Sequence, residues 1–320
     1  MKSVYNNVLG VDVASEKLDV HDAAKGQHTE IPNTADSIDR WIKRIKRRSG
    51  VLVVMEATGG YEQPLVDALH EAGIPVAVCN PLQIRSFAKG LGIIEKNDPI
   101  DAAVIARFGQ VAEPKVREKP TQSERQLKSL VHRRDQVLQQ CKREHNRKLQ
   151  CRDEVVRASI EAAIAFYKTQ IKDLDKKIAA VIADCETLNA KSEMLSSCPG
   201  VGVATVSMLL SELPELGRLS RGQVAKLVGV APIVKDSGKS EGRRSTHAGR
   251  SIVRKVLYMA ALVATRYNPR LKQFYGRLIA QKKPFKVAIV AVMRKLLVTL
   301  NVMVRENQTW REPTLAKVTN

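Results

Sequence analysis

The chain has 320 residues, enough for two domains and a connector, with 44% hydrophobic residues to form cores and a net charge of +20. So large an excess of lysine and arginine points to a polyanionic partner, nucleic acid first and a membrane surface or heparin-like chain second. Five cysteines without a CxxC pair argue against a zinc site or a disulfide framework and set a reducing cytoplasm as the expected compartment.

The segment before Asp12 carries no signal pattern, and the apolar stretches read as broken by charge before the roughly 18 residues a spanning helix needs. A soluble, intracellular protein without a membrane segment is expected. In chain order, Val8–Val13 reads as a buried strand and Leu18–His21 as its hairpin partner. Helical spacing follows from Thr34 to Arg47, through Ile38, Trp41, Ile42 and Ile45. Val51–Met55 is a strand ending at Glu56, Tyr61–Ala72 a helix, Gly73–Val78 a third β run, and Asp98–Gly109 a helix with Pro99 near its start. Strands alternating with helices predict an α/β sheet. From Thr121 to about Leu188 there is neither glycine nor proline, and two apolar stripes predict a pair of long amphipathic helices or a dimerising coil. A third part begins near Ser192, with a helix over Val203–Leu213, a polar loop after Pro232 and further helices from about Ser251.

Four acids carry the chemistry. Asp12 sits inside an apolar strand between Val11 and Val13, and Glu56 ends another. A buried carboxylate requires a cation or donors beside it. Asp98 and Asp101 are three apart on a predicted helix and share a face. Oxygen donors without cysteine or histidine favour Mg²⁺ or Mn²⁺ over zinc and suit metal-assisted phosphoryl transfer. The plainer reading makes Asp98 a helix cap and Asp101 a surface acid.

The second constellation is electrostatic: no Asp or Glu occurs from Gly242 through Arg305, while Lys and Arg recur throughout. Arg243, Arg244, Arg250, Arg254 and Lys255 lie in or just after the polar loop, and Lys286 follows on a later helix, as candidates to grip phosphates. Gly200 and Gly202 of Pro199-Gly200-Val201-Gly202 resemble the hairpin of helix-hairpin-helix modules, or form a tight turn between helices. Ser237, followed by Gly238 in the polar loop, is a candidate nucleophile or a turn residue, with no Ser/His/Asp arrangement legible around it.

Taken together, Leu9–Ala14, Met55-Glu56-Ala57-Thr58-Gly59-Gly60-Tyr61, Asn80-Pro81-Leu82-Gln83 and Lys96–Ala102 resemble the DEDD transposases of the IS-one-ten type. Gly59-Gly60-Tyr61 and the Asn80 stretch resemble its IS-eleven-eleven branch, and Piv-type DNA invertases are relatives. Leu195–Gly202 and Gly229–Met259 match as well, so the resemblance spans nearly the whole chain; Asn97 stands where threonine is usual. It implies a RuvC-like, RNase H-type domain over 1–118 with Asp12, Glu56, Asp98 and Asp101 as a metal-binding tetrad. A coiled-coil connector and dimerisation region over 119–190 would follow. A mainly α transposase domain with the helix-hairpin-helix-like motif would occupy 191–310, and 311–320 would be a tail. It further implies Ser237 as the nucleophile, a transient 5′-phosphoserine link, DNA ends and target as substrates, and a structured bridge RNA as partner. Dimers pairing into tetramers, with tetrad and serine from different subunits, in a bacterial cytoplasm and on the nucleoid, complete the expectation. A RuvC-like junction endonuclease using water, and a non-catalytic nucleic-acid-binding protein, are the alternatives.

Overall fold

The computed structural model describes residues 5–93, 95, 97–232, 246 and 249–311. It divides into two compact units, Met1–Lys119 and Pro120–Asn320, each taken here by itself.

The first unit is a five-stranded mixed sheet. β1 (Asn7–Val13) pairs antiparallel with β2 (Lys17–Asp22), which pairs antiparallel with β3 (Gln27–Pro32). On its other side β1 runs parallel to β4 (Val51–Glu56), and β4 parallel to β5 (Val76–Cys79), giving the order β3-β2-β1-β4-β5. β2 alone runs against the other four strands.

Alternation along β1 sorts its side chains to two faces. Leu9, Val11 and Val13 join one core with α1 (Ala35–Ile45) and α2 (Gln63–Glu71), through Ile38, Trp41, Ile42, Leu65 and Leu69. Val8, Leu52, Val54 and Ala77 face the other way, into a core with Ile84 of α3 (Pro81–Gly90) and Val104 and Ile105 of α4 (Asp98–Ala112). Gly10 lies on that second face. A Cβ there would stand 2.2 Å from the Ala102 carbonyl oxygen and 2.3 Å from the Ala106 nitrogen. Only glycine lets α4 rest directly on β1. Farther along α4, a Cβ on Gly109 would come within 2.7 Å of Val8 and Val54 side chains, so the contact surface of this helix is built from small residues.

Two elements of this unit are absent from the sequence reading. β3 is exposed along almost its whole length, so this edge strand shows no hydrophobic alternation. α3 is short, and its start is signalled by Asn80, whose side chain accepts from the Leu82 amide at 2.8 Å, followed by Pro81.

The second unit is helical. α5 (Gln122–Gln150) begins with a reciprocal cap between Thr121 and Glu124, and α6 (Glu154–Ala183) begins with Asp153 accepting from Val156. Only Cys151 to Asp153 separate the two, so they form a helical hairpin, joined across by Arg134 with Asp175 and by Lys148 with Glu161. Leu127, Val131, Ile178 and Ile182 enter one core with α7 (Glu186–Ser196), α8 (Val203–Glu212), α9 (Arg221–Val228), α10 (Ser251–Tyr267), α11 (Pro269–Ala280) and α12 (Phe285–Arg305).

α12 corrects the reading of the apolar stretches. By length and composition it is the one helix among the described residues apolar enough to cross a membrane, at mean hydropathy 2.0. Its two central charges, Arg294 and Lys295, do not interrupt it sufficiently. The fold uses it as a core helix, burying Ile289, Val292, Leu296, Leu297 and Leu300. Asn301, fully buried on the same helix, accepts from the Gly217 amide at 2.9 Å and donates to the Leu219 carbonyl at 2.8 Å. Both ends of its amide are thereby satisfied.

Candidate active site

The last parallel pair between β1 and β4 is Val11 with Met55, so Asp12 and Glu56 stand side by side one residue further on. Carboxyl ends of parallel strands are where α/β sheets place their chemistry. Asp12 shares the face of Gly10, two residues before it, and the close seat of α4 on Gly10 brings Asp101 and Asp98 to it. Burial pushes the Asp12 carboxyl up, and repulsion from Asp101, Asp98 and Asp19 pushes it further. Glu56 registers opposite Cys79, whose thiol is pushed up to about 11 by burial and by the Glu56 charge. The four acids singled out in the sequence therefore lie at one end of one sheet.

The sequence did not single out a second group beside them. Asp19 is buried on β2 directly opposite Asp12. His28 Nε2 lies 2.9 Å from its Oδ1, and Lys17 Nζ 3.2 Å from its Oδ2. The same Lys17 ammonium reaches Asp98 at 2.9 Å and Glu30 at 3.1 Å. Asp19 obeys the rule that found Asp12, an acid flanked by apolar strand residues, and could have been found by it. Lys17, Glu30 and His28 join only through the β2–β3 register, which no local pattern announces.

The loop after Glu56 is fixed from within. Gly59 and Gly60 take φ values of 81° and 128°, which explains the glycine pair before Tyr61. The Glu62 carboxylate accepts from the Thr58 amide and hydroxyl at 3.2 and 2.8 Å and from the Gly60 amide at 2.8 Å. Asn33 donates to the Ala14 carbonyl at 2.9 Å and to the Tyr61 carbonyl at 3.3 Å, tying this loop to the β1–β2 turn.

No three His, Cys, Asp or Glu side chains among the described residues form a ready metal-binding group. The donor set nevertheless fits a hard divalent cation in kind, being all carboxylate oxygen. Two observations support the fit: burial, and then repulsion from its acidic neighbours, raise Asp12, and a cation, the Lys17 ammonium, already rests on Asp98 and Asp19.

In the second unit the candidates separate. Gly200, at φ 97°, is a close-approach glycine: a Cβ there would lie 2.7 Å from the Ala264 Cα. Gly202 is exposed at the N-cap of α8, with open space around it. The Arg250 guanidinium is engaged with both Glu215 oxygens at 2.6 Å and with the Glu212 carbonyl at 2.7 Å. Arg254 donates to the Val228 carbonyl at 3.1 Å. Lys255 and Lys286 are exposed. Ser237, Arg243 and Arg244 lie outside the described residues.

Two family models match the chain. One, a DEDD transposase model of the IS110 type, matches residues 9–156, and one described as "Transposase IS116/IS110/IS902 family" matches residues 192–276. The pilin gene-inverting protein of Moraxella bovis is 28% identical over 311 residues, covering 94% of this chain and 96% of the relative. An insertion element IS110 protein of Streptomyces coelicolor is 24% identical over 155 residues, 48% of this chain and 37% of that protein. The Thermus thermophilus RuvC structure covers 35% of this chain and 99% of that one at 16% identity, with a TM-score of 0.28. The family models and the sequence relatives define a recombinase acting on DNA. The chain belongs to the IS110 family of transposases.

Proposed function

We propose that this protein cuts and rejoins DNA strands of a mobile or invertible element, with Asp12, Glu56, Asp98 and Asp101 as a divalent-metal site and Ser237 as the nucleophile. One observation carries the reading: acids end two neighbouring parallel strands, and Gly10 seats the first turn of α4 against the first of them. The match to pilin gene-inverting proteins along nearly the full chain supports strand exchange over simple cutting.

Mg²⁺ or Mn²⁺ bound by the four carboxylates would supply Lewis-acid polarisation of the scissile phosphate. Such an ion would relieve the charge of Asp12, which is half-buried and repelled by its neighbours. Ser237 Oγ attacks the phosphorus, the bond from phosphorus to the 3′ oxygen breaks, and the 3′ end leaves as a hydroxyl. The 5′ end stays on the serine until the hydroxyl of another strand displaces it. Exchange then proceeds through a junction intermediate.

Residues 1–118 act as the catalytic domain, 119–190 as the connector that joins protomers into dimers, and 191–310 as the strand-exchange domain, with 311–320 as a tail. Dimers pair into tetramers in which tetrad and serine come from different subunits. Gly202, Lys255 and Lys286 offer exposed positions for a nucleic-acid backbone, and Gly200, Arg243, Arg244, Arg250 and Arg254 are further candidates for the same role. A structured bridge RNA selects the DNA, in a bacterial cytoplasm.

Covalent trapping tests this. Labelled element-end DNA, Mg²⁺ and co-purifying RNA are incubated with wild type, Ser237→Ala and Asp12→Ala. The reading expects a protein–DNA adduct that both variants lose. Cleavage that needs Asp12 but survives Ser237→Ala without an adduct would make the protein a hydrolytic junction endonuclease instead.

A further inference from the structure

The second unit holds a cavity of about 450 Å³ between the start of α9, the first turn of α11, α12 and the segment after it. That volume is within the range of small-ligand sites. Arg221, Arg270 and Lys295 line it together with Trp310. Its single carboxylate, Glu306, is paired with Arg305 at 3.0 Å. A fourth cation, Arg311, also lines it, and among the described residues none of Arg221, Arg270 and Lys295 has a carboxylate partner. Two of them have aromatic partners instead: Arg270 lies over the Trp310 ring at 5.9 Å, and Lys295 over Phe274 at 4.3 Å. Arg277 lies over the same Phe274 ring at 5.9 Å. Burial, and then the charges of Arg270 and Arg277, pull the Lys295 pKa down, the signature of cations crowded without an anion between them.

Trp310 is anchored from behind, its amide donating to Ser197 Oγ at 2.8 Å. Its indole Nε1 is buried without a hydrogen-bond partner. Uncompensated cations around a concave surface that ends in a fixed indole match two parts of one ligand, a phosphate and a base. Within a duplex the base face is covered by stacking, so an indole reached this way selects an unpaired nucleotide.

We propose that this cavity takes one nucleotide of a single-stranded nucleic acid, its phosphate held by Arg221, Arg270 and Lys295 and its base stacked on Trp310. The proposal rests on the reading of the chain as a nucleic-acid recombinase and adds a site outside the acid cluster. DNA and RNA strands share the required chemistry.

The chain has two tryptophans, Trp41 and Trp310, and Trp41 is 3% exposed in the first unit's core. Intrinsic fluorescence of the full chain therefore reports on Trp310 above a constant background. Fluorescein-labelled 12-nucleotide oligothymidylate and oligouridylate, and a duplex of equal length, are titrated in parallel by fluorescence and anisotropy. Single strands are expected to quench saturably, with the duplex weaker, and the tighter of the two arms identifies the strand served. Arg270→Gln with Lys295→Gln should weaken single-strand binding about tenfold and lower the salt slope by about 1, with the melting temperature unchanged. Trp310→Phe should keep most of the affinity while removing the quench. Unquenched fluorescence in wild type, or a double variant that binds within about twofold of wild type, overturns the proposal. Cleavage of element-end DNA is measured on the same preparations. If it still requires Asp12 while the pocket variants change nothing, the pocket fails and the transposase reading stands. If Asp12 is dispensable while pocket binding persists, the reading fails alone.

Discussion

The two units handle charge in opposite ways. In the first, acids are gathered at the end of a sheet until they repel one another, and a single lysine ammonium is shared among Asp19, Glu30 and Asp98. In the second, cations stand in two conditions: Arg250 is neutralised by Glu215 with bidentate geometry, whereas Arg221, Arg270 and Lys295 face a cavity and have no such partner among the described residues. The contrast separates charges that hold the fold from charges kept for something else. A paired charge is a structural part; a crowded, unpaired one is an invitation to a counter-ion.

The largest expected effect tests the first unit. Asp12→Asn should lower DNA cleavage by at least about 10²–10³-fold, the scale of removing one transition-state contact. The same substitution should raise the melting temperature of the metal-free protein at neutral pH. With the folded pKa above the unfolded value near 3.8, the folded state binds the proton more tightly. Stability from this group therefore falls as pH rises from that value through the raised one. Melts across this pH range, with and without Mg²⁺, check the sign. Mg²⁺ should stabilise wild type and have little effect on the variant.

Next comes Gly10→Ala. Its Cβ would meet backbone atoms of α4, which cannot move aside, so a loss of about 3 kcal/mol is expected by denaturant unfolding. Gly202→Ala, with open space around it and φ of −88°, should change stability by less than about 0.5 kcal/mol. Equal losses at the two glycines would erase the distinction between a seat for the site and an exposed helix start.

The smallest effects sharpen the second unit. Arg250→Ala should cost about 1 kcal/mol, since its pair with Glu215 is partly exposed and its carbonyl contact is lost as well. Lys255→Ala and Lys286→Ala should leave melting unchanged and each lower the salt slope of DNA binding by about 0.9. If Arg250→Ala behaves like the two lysines, its ion pair has no structural role.

Much of the first unit was legible because β-sheets write their faces into period two and their ends into the residues that stop the pattern. Asp12 and Glu56 were found as acids in or ending apolar runs, and Asp98 with Asp101 by helical spacing. The contact that unites them was not legible. It depends on Gly10, an ordinary strand residue until α4 is laid across it. Lys17, Glu30 and His28 escaped because an exposed edge strand has no alternation, and register is not a local property. In the second unit the basic bias was plain, but which cations are paired depends on helix packing. That sorting placed Arg250 against Glu215, 35 residues away in sequence.

The most direct test of the central claim is Mg²⁺-dependent cleavage of element-end DNA by wild type and Glu56→Gln at matched melting temperature. Glu56 ends the second strand of the corner and shares no local sequence with the other three acids. A fall of at least about 10²-fold, with folding intact, is the result this account predicts. Cleavage by Glu56→Gln at the wild-type rate would contradict it, because strand cutting would then not depend on the carboxylates at the end of this sheet.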